Sequence, residues 1–179
     1  MGKIRLLEDH VINQIAAGEV VQRPVSVVKE LLENSLDAGA TRIQIGFEAA
    51  GKRRIYVQDD GEGMSPEDAQ LALRRHATSK LRSAEDLLRI GSLGFRGEAL
   101  ASIASVARFT LRTRRPEDLE GTQLYTQGGA IPRAGACGMA PGTQIQVDDL
   151  FFCVPARAKF LTSDRTETSH IMECVRAYA

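Results

Sequence analysis

Glu30, Asn34 and Asp37 recur at i, i+4 and i+7 in the run Pro24-Val25-Ser26-Val27-Val28-Lys29-Glu30-Leu31-Leu32-Glu33-Asn34-Ser35-Leu36-Asp37. That spacing puts all three on one helix face. A carboxylate there can orient and deprotonate a water, and an amide one turn on can offer its oxygen to a hard cation. Asp37 is equally well accounted for as helix-end structure. Taken alone, the three also suit an ordinary solvated face, with Lys29 and Glu33 paired for solubility. A second stretch is Asp59-Asp60-Gly61-Glu62-Gly63-Met64. Period two places Asp59 on the same strand face as Ile55 and Val57, towards the core. A carboxylate there needs a hydrogen-bond donor, from the protein or from a ligand. Gly61 and Gly63 allow positive φ and close approach to the backbone, which a tight turn would also use. In a third stretch, Gly91, Gly94 and Gly97 recur every third residue ahead of Glu98-Ala99-Leu100. A glycine-rich loop feeding a helix start can offer N–H groups to an anion, or can be a flexible loop. Lys80, beside Thr78 and Ser79, suits phosphate or water.

The elements that must carry these residues follow from periodicity. Pro24 opens the central helix and Gly39 closes it. Its core arc is Val27, Val28, Leu31, Leu32, Ser35 and Leu36, with Glu30 and Asn34 at the border. A short helix over 8–17, with Val11, Ile12, Ile15 and Ala16 apolar, is expected to stop at Gly18. Alternation over 41–48 and 54–59, about the turn Ala49-Ala50-Gly51-Lys52, predicts a β-hairpin. Ser65-Pro66-Glu67-Asp68 starts a helix expected to reach about Arg75. A further helix is expected from near Gly97 to Ser105, and strands over 108–113, 122–126 and 142–147. Residues 128–142 read as a long exposed loop. Residues 148–161 read as irregular, anchored by Phe151, Phe152, Phe160 and Leu161. A final helix spans 166–178, with Ile171, Cys174, Val175 and Tyr178 inward. The order of elements predicts an α+β fold, a mixed sheet with helices on one face.

The 179 residues suffice for one domain with a substantial core. Lys+Arg and Asp+Glu are 23 each, which argues against a chain-wide field for nucleic acid. No apolar run approaches transmembrane length, and Met1-Gly2-Lys3-Ile4-Arg5 does not open a signal peptide. Cys137, Cys153 and Cys174 show no zinc spacing and read as free thiols of a reducing cytosol. His10, His76 and His170 show no metal spacing either. Gly46 to Arg53 nearly matches a P-loop, but Arg53 replaces the required hydroxyl and a strand follows. The basic clusters at 52–54, 74–76 and 112–115 read as solvated faces.

Glu30…Asn34, Asp59-x-Gly61-x-Gly63, Gly94-x-x-Gly97 and Gly142-Thr143 stand in the motif order of the GHKL ATPases. Three longer runs resemble the MutL mismatch-repair family: Ile15 to Pro24, Arg75 to Lys80 and Leu93 to Ile103. The resemblance covers essentially the whole chain. It implies a two-layer α/β sandwich of the Bergerat type, its sheet mixed but mainly antiparallel. It also implies an ATP site that uses Mg²⁺. Glu30 would be the general base, Asn34 the magnesium ligand, and Asp59 the acceptor for the adenine amino group, with Asp37 and Met64 at the same site. Gly61 and Gly63 would pass close to the base, and Thr143 would support Asp59. Thr78, Ser79, Lys80 and the run Leu93-Gly94-Phe95-Arg96-Gly97-Glu98-Ala99-Leu100 would enclose the phosphates.

The resemblance further implies ATP-driven lid ordering and homodimerisation, a mismatch-sensing MutS-type partner, and weak non-specific DNA contact in a longer protein. A sliding clamp or helicase could join these partners. The location would be bacterial cytoplasm, near the nucleoid, without membrane contact. The family carries a further transducer-like domain, with a lysine that reaches the γ-phosphate, and a C-terminal dimerisation region. Residues 1–179 are therefore expected to be a truncated piece that binds ATP but hydrolyses it poorly. Two alternatives are an ATP-gated clamp with negligible hydrolysis and a histidine-kinase catalytic domain. In the run Leu150 to Leu161, Cys153-Val154 stands where the family usually has Asn-Thr, which puts loop packing there in question.

Overall fold

The fold comes from a computed structural model, which describes residues 9–74 and 98–179. Six strands form one sheet: β1 (Ile43–Glu48), β2 (Arg54–Asp59), β3 (Arg108–Arg114), β4 (Gly121–Gln127), β5 (Arg133–Cys137) and β6 (Gly142–Asp148). Their order is β1-β2-β6-β3-β4-β5, and every ladder is antiparallel rather than mixed. Among the described residues the helices are α1 (Asp9–Val20), α2 (Pro24–Asp37), α3 (Pro66–Ala72), α4 (Ala99–Val106), α5 (Pro155–Ala158) and α6 (Asp164–Tyr178).

The register sorts the inner face of the sheet into rows. Phe47, Ile55, Val147, Phe109 and Thr126 are cross-strand partners in one row. Ile45, Val57, Ile145, Leu111 and Leu124 form the next. Ile55, Val147, Phe109, Val57, Ile145, Leu111 and Leu124 are buried, with Val27, Val28 and Leu31 of α2 and Ile103 of α4 in the same core. Burying such side chains contributes roughly 1.5–3 kcal/mol each relative to exposure. The third row is Ile43, Asp59, Thr143, Thr113 and Thr122. The inner face thus turns polar at the same level in four adjacent strands, β2, β6, β3 and β4.

Several expectations are corrected. α1 continues through Gly18 to Val20. A Cβ on Gly18 would lie 1.9 Å from Arg157 Nη2, so glycine serves there as space for a guanidinium, not as a stop. Ala17 and Val21 are buried next to α4, while Ile12 and Ile15 are exposed. The expected loop over 128–142 contains β5, paired to β4 from Gly121↔Cys137 to Tyr125↔Arg133. Its burial pattern shows no alternation, because this edge strand covers no core. α3 ends at Ala72, before Arg75. α4 runs to Val106, one residue past the expected Ser105. α6 starts two residues before Thr166, capped by Ser163, whose Oγ accepts the Thr166 N–H. Residues 148–161 include the one-turn α5. Phe151 is their anchor, fully buried, while Phe152 and Phe160 are exposed. The Cys153 thiol donates to Ser105 O and accepts from Gln14 Nε2, both at 3.6 Å, so the loop packs firmly between α1 and α4.

Gly142 joins the rows at the polar end. Its φ is +124°, and a Cβ there would sit 2.1 Å from Asp59 O. Gly142→Ala is therefore expected to force β6 away from β2 and cost about 2–4 kcal/mol in chemical denaturation. Unchanged stability would show that the strand ends are not in such close contact.

Candidate active site

The polar row is organised by Asp59, whose carboxylate is buried at the end of β2. Ser35 Oγ, on the core side of α2, donates to Asp59 Oδ2 at 2.7 Å. The backbone N–H groups of Gly61 and Thr143 donate to Oδ1 at 3.0 and 3.2 Å. Helix, loop and β6 therefore converge on one carboxylate, and the burial that would penalise its charge is offset by three donors. Asp60, the next residue, points outward. It accepts Thr41 N, Thr41 Oγ1 and Arg42 N, all at 2.8 Å, which secures the start of β1. The N–H of Arg42 and the hydroxyl of Thr41 hold the Asp60 carboxyl below its ordinary value.

A second hub lies beside the first. Thr113, fully buried on β3, accepts the Met64 N–H at 2.9 Å and reaches Gly142 O at 3.2 Å and Thr143 Oγ1 at 3.0 Å. One assignment satisfies all three contacts: Thr143 donates its hydroxyl proton to Thr113, and Thr113 donates its own to Gly142 O. The loop from Gly61 to Met64 is thus tied to the sheet at both ends. A Cβ on Gly61 would lie 2.8 Å from Ala38 O, and one on Gly63, at φ +69°, would lie 2.2 Å from Arg114 O. Both glycines are demanded by the protein's own backbone before any ligand is considered.

α2 brings further candidates to this end of the sheet. Asn34 immediately precedes Ser35, and Glu30 lies one turn earlier; both are half-buried. Asp37 ends the helix and is exposed. Glu33, expected in a solvated pair with Lys29, is instead buried. It accepts the Tyr178 hydroxyl proton, with Lys29 Nζ 3.8 Å away. Glu98 flanks α4 at its N-terminus, and Ala99 and Leu100 open the helix; all three are half-buried. Thr78, Ser79, Lys80, Leu93, Gly94, Phe95, Arg96 and Gly97 lie outside the described residues.

Sequence reasoning missed two members. Ser35 was assigned to the apolar arc of α2, yet a hydroxyl on a buried arc requires a partner. Thr113 ends the inward alternation Phe109-x-Leu111-x-Thr113, as Asp59 ends Ile55-x-Val57-x-Asp59. Ser35→Ala would leave Asp59 Oδ2 without its hydroxyl donor. A loss of roughly 1–3 kcal/mol in folding stability is expected. Thermal denaturation would check it; no change would mean that Oδ2 does not depend on Ser35.

A buried carboxylate beside a glycine loop and a helix edge bearing Glu and Asn is an arrangement suited to a purine and its phosphates. A family profile described as "Histidine kinase-, DNA gyrase B-, and HSP90-like ATPase" matches residues 22–128. The chain belongs to this ATPase family. The match takes in Glu30, Asn34, Asp59, Gly63 and Thr113, while Thr143 lies beyond it. Among relatives within this family, the chain is 58% identical over 179 residues to the DNA mismatch repair protein MutL of Opitutus terrae. It is 59% identical over 177 residues to that of Syntrophotalea carbinolica. It spans 28% of the length of each. Among solved structures, it is similar to the Aquifex aeolicus MutL ATPase domain complexed with ADP, with a TM-score of 0.71 and 38% identity. That match covers 89% of this chain and 56% of the other. Among the described residues, no helix is long and apolar enough to cross a membrane.

Proposed function

We propose that the chain binds ATP with Mg²⁺ and hydrolyses it as the ATPase domain of a DNA mismatch repair protein. The observation that carries this reading is the Asp59 carboxylate, buried and held by Ser35, Gly61 and Thr143. Its three protein donors fix both oxygens in place, and an adenine amino group would add a fourth donor. The half-buried Glu30 and Asn34 lie on the helix that also carries Ser35, so one element orients the base-binding and phosphate-side groups together. Glu30 would take the proton of the attacking water. Asn34 supplies a neutral hard oxygen, which fits magnesium, and the ion when bound would offset phosphate charge. Glu98, Ala99 and Leu100 would present the start of α4 to the phosphates, together with Thr78, Ser79, Lys80 and the stretch 93–97.

The similarity to mismatch repair proteins supports a wider role within a longer protein. There, ATP binding would order the lid, drive N-terminal dimerisation and couple a mismatch-sensing partner to later steps on DNA. Further domains would follow this one and supply the lysine that completes the phosphate site. Magnesium removal is expected to abolish hydrolysis, and single-turnover assays with and without a chelator test it. Equal rates in both would remove the metal from the reading.

A further inference from the structure

α6 packs against α2 and is tied to it at two points. Near the start of α2, Arg23 Nη1 lies 3.0 Å from His170 Nδ1. Near its end, the Tyr178 hydroxyl donates to Glu33 Oε1. Between them, the Cys174 thiol lies close enough to feel the charges of Lys29 and Glu33, though burial is the larger influence and pushes it up. The N-terminus of α6 is also anchored, by Lys52 Nζ at 2.7 Å from Thr162 O and 2.8 Å from Asp164 Oδ1. α6 therefore braces the helix that carries Glu30 and Asn34.

The fastening at Glu33 bears on chemistry. Glu33 is three residues after Glu30 and immediately before Asn34, and it is a buried carboxylate. Two carboxylates at i and i+3 on one helix lie close enough to compete for the same proton, water or cation. The Tyr178 phenol directs Glu33 towards α6. The phenol is itself pushed up to about 12, first by its hydrogen bond to Glu33, then by burial and the charge of Glu33, with smaller contributions from Cys174 and Glu30. It therefore stays a donor throughout the neutral range, and it sits within the field of Glu30. We infer that Tyr178 is a positioning residue for ATP hydrolysis, holding Glu33 aside and α2 in register so that Glu30 alone serves as base. This rests on the reading of Glu30 as the base.

The test uses single-turnover hydrolysis by the full chain over a range of ATP concentrations, with circular dichroism to measure the folded fraction. Tyr178→Phe removes only the hydroxyl. The maximal rate is expected to fall about tenfold, as misplacement of a catalytic group by a fraction of an ångström would produce, while half-saturating ATP stays within about twofold. Glu33→Gln, which keeps an acceptor oxygen, is expected to lose less rate than Glu33→Ala. In the Tyr178→Phe background that difference should vanish. A maximal rate within about twofold of wild type, a loss matched by the lost folded fraction, or full additivity of the two sites would each overturn the inference. Glu30→Ala run in parallel separates the two levels. If it does not slow hydrolysis, the site reading fails; if it does while Tyr178→Phe has no effect, only the positioning role fails.

Discussion

Asp59→Asn is expected to weaken adenine-nucleotide binding about 30- to 150-fold while leaving most of the folding stability in place. The asymmetry comes from counting donors. The amide oxygen can take over the position of Oδ1 and accept the Gly61 and Thr143 N–H groups. The amide nitrogen then stands where Oδ2 stood. Ser35 can rotate its hydroxyl and accept from that nitrogen instead of donating. The adenine amino group has no such freedom: it would meet a donor where it needs an acceptor. The loss of a charge-assisted hydrogen bond and the resulting mismatch cost roughly 2–3 kcal/mol, about 30- to 150-fold in Kd. A 6-oxopurine nucleotide, which presents an acceptor at that position, should lose less or gain. Titration calorimetry with ATP and ITP on both proteins decides it. Unchanged ATP affinity in Asp59→Asn would remove the carboxylate from base recognition. Asp59→Ala should behave differently, stranding three donors and destabilising the fold itself.

Glu30→Ala should do the reverse, slowing hydrolysis by about 10²–10⁴-fold with ATP affinity retained. Glu30 lies at the border of the apolar arc of α2, half-buried, and the Asp59 carboxylate takes its hydrogen bonds from Ser35, Gly61 and Thr143. On the proposed reading, its removal would spare the Asp59 carboxylate and take away the group that would accept a proton from water. Single-turnover hydrolysis, with nucleotide binding followed separately, tests both halves. A rate equal to wild type would assign the base elsewhere; a lost affinity would mean that Glu30 binds rather than catalyses.

Much of this arrangement was legible before any coordinates, for identifiable reasons. The central helix was readable because Pro24 and Gly39 bound it and its apolar positions follow one periodicity. β2 was readable because Ile55, Val57 and Asp59 alternate cleanly, and the same alternation announced a buried carboxylate in need of a donor. What that pattern could not say was which donors. Thr143 lies 84 residues away from Asp59 in sequence, and pairing across that separation leaves no local signal. β5 was missed because Arg133, Ala134, Gly135 and Ala136 are exposed, so no alternation marked them as a strand. Gly18 misled because glycine inside a helix resembles a terminus, and the guanidinium that occupies its missing side chain comes from Arg157. Glu33 misled because Lys29 sits at the spacing of a surface pair, while Tyr178 arrives from the last helix.

The insertion of β6 between β2 and β3 has a kinetic meaning. The hairpin of β1 and β2 can form from neighbouring residues, as can that of β3 and β4. The polar row cannot, because Asp59 and Thr113 are joined only when the last strand slides between them. Closing such distant contacts is slow, and it belongs late in folding. A nucleotide that needs Asp59 in its final setting therefore recognises the chain only after this step. At a hundred times its Kd it would add about 2.7 kcal/mol to the completed state alone. Where the row forms after the transition state, that stabilisation should slow unfolding and leave the early folding rate unaltered.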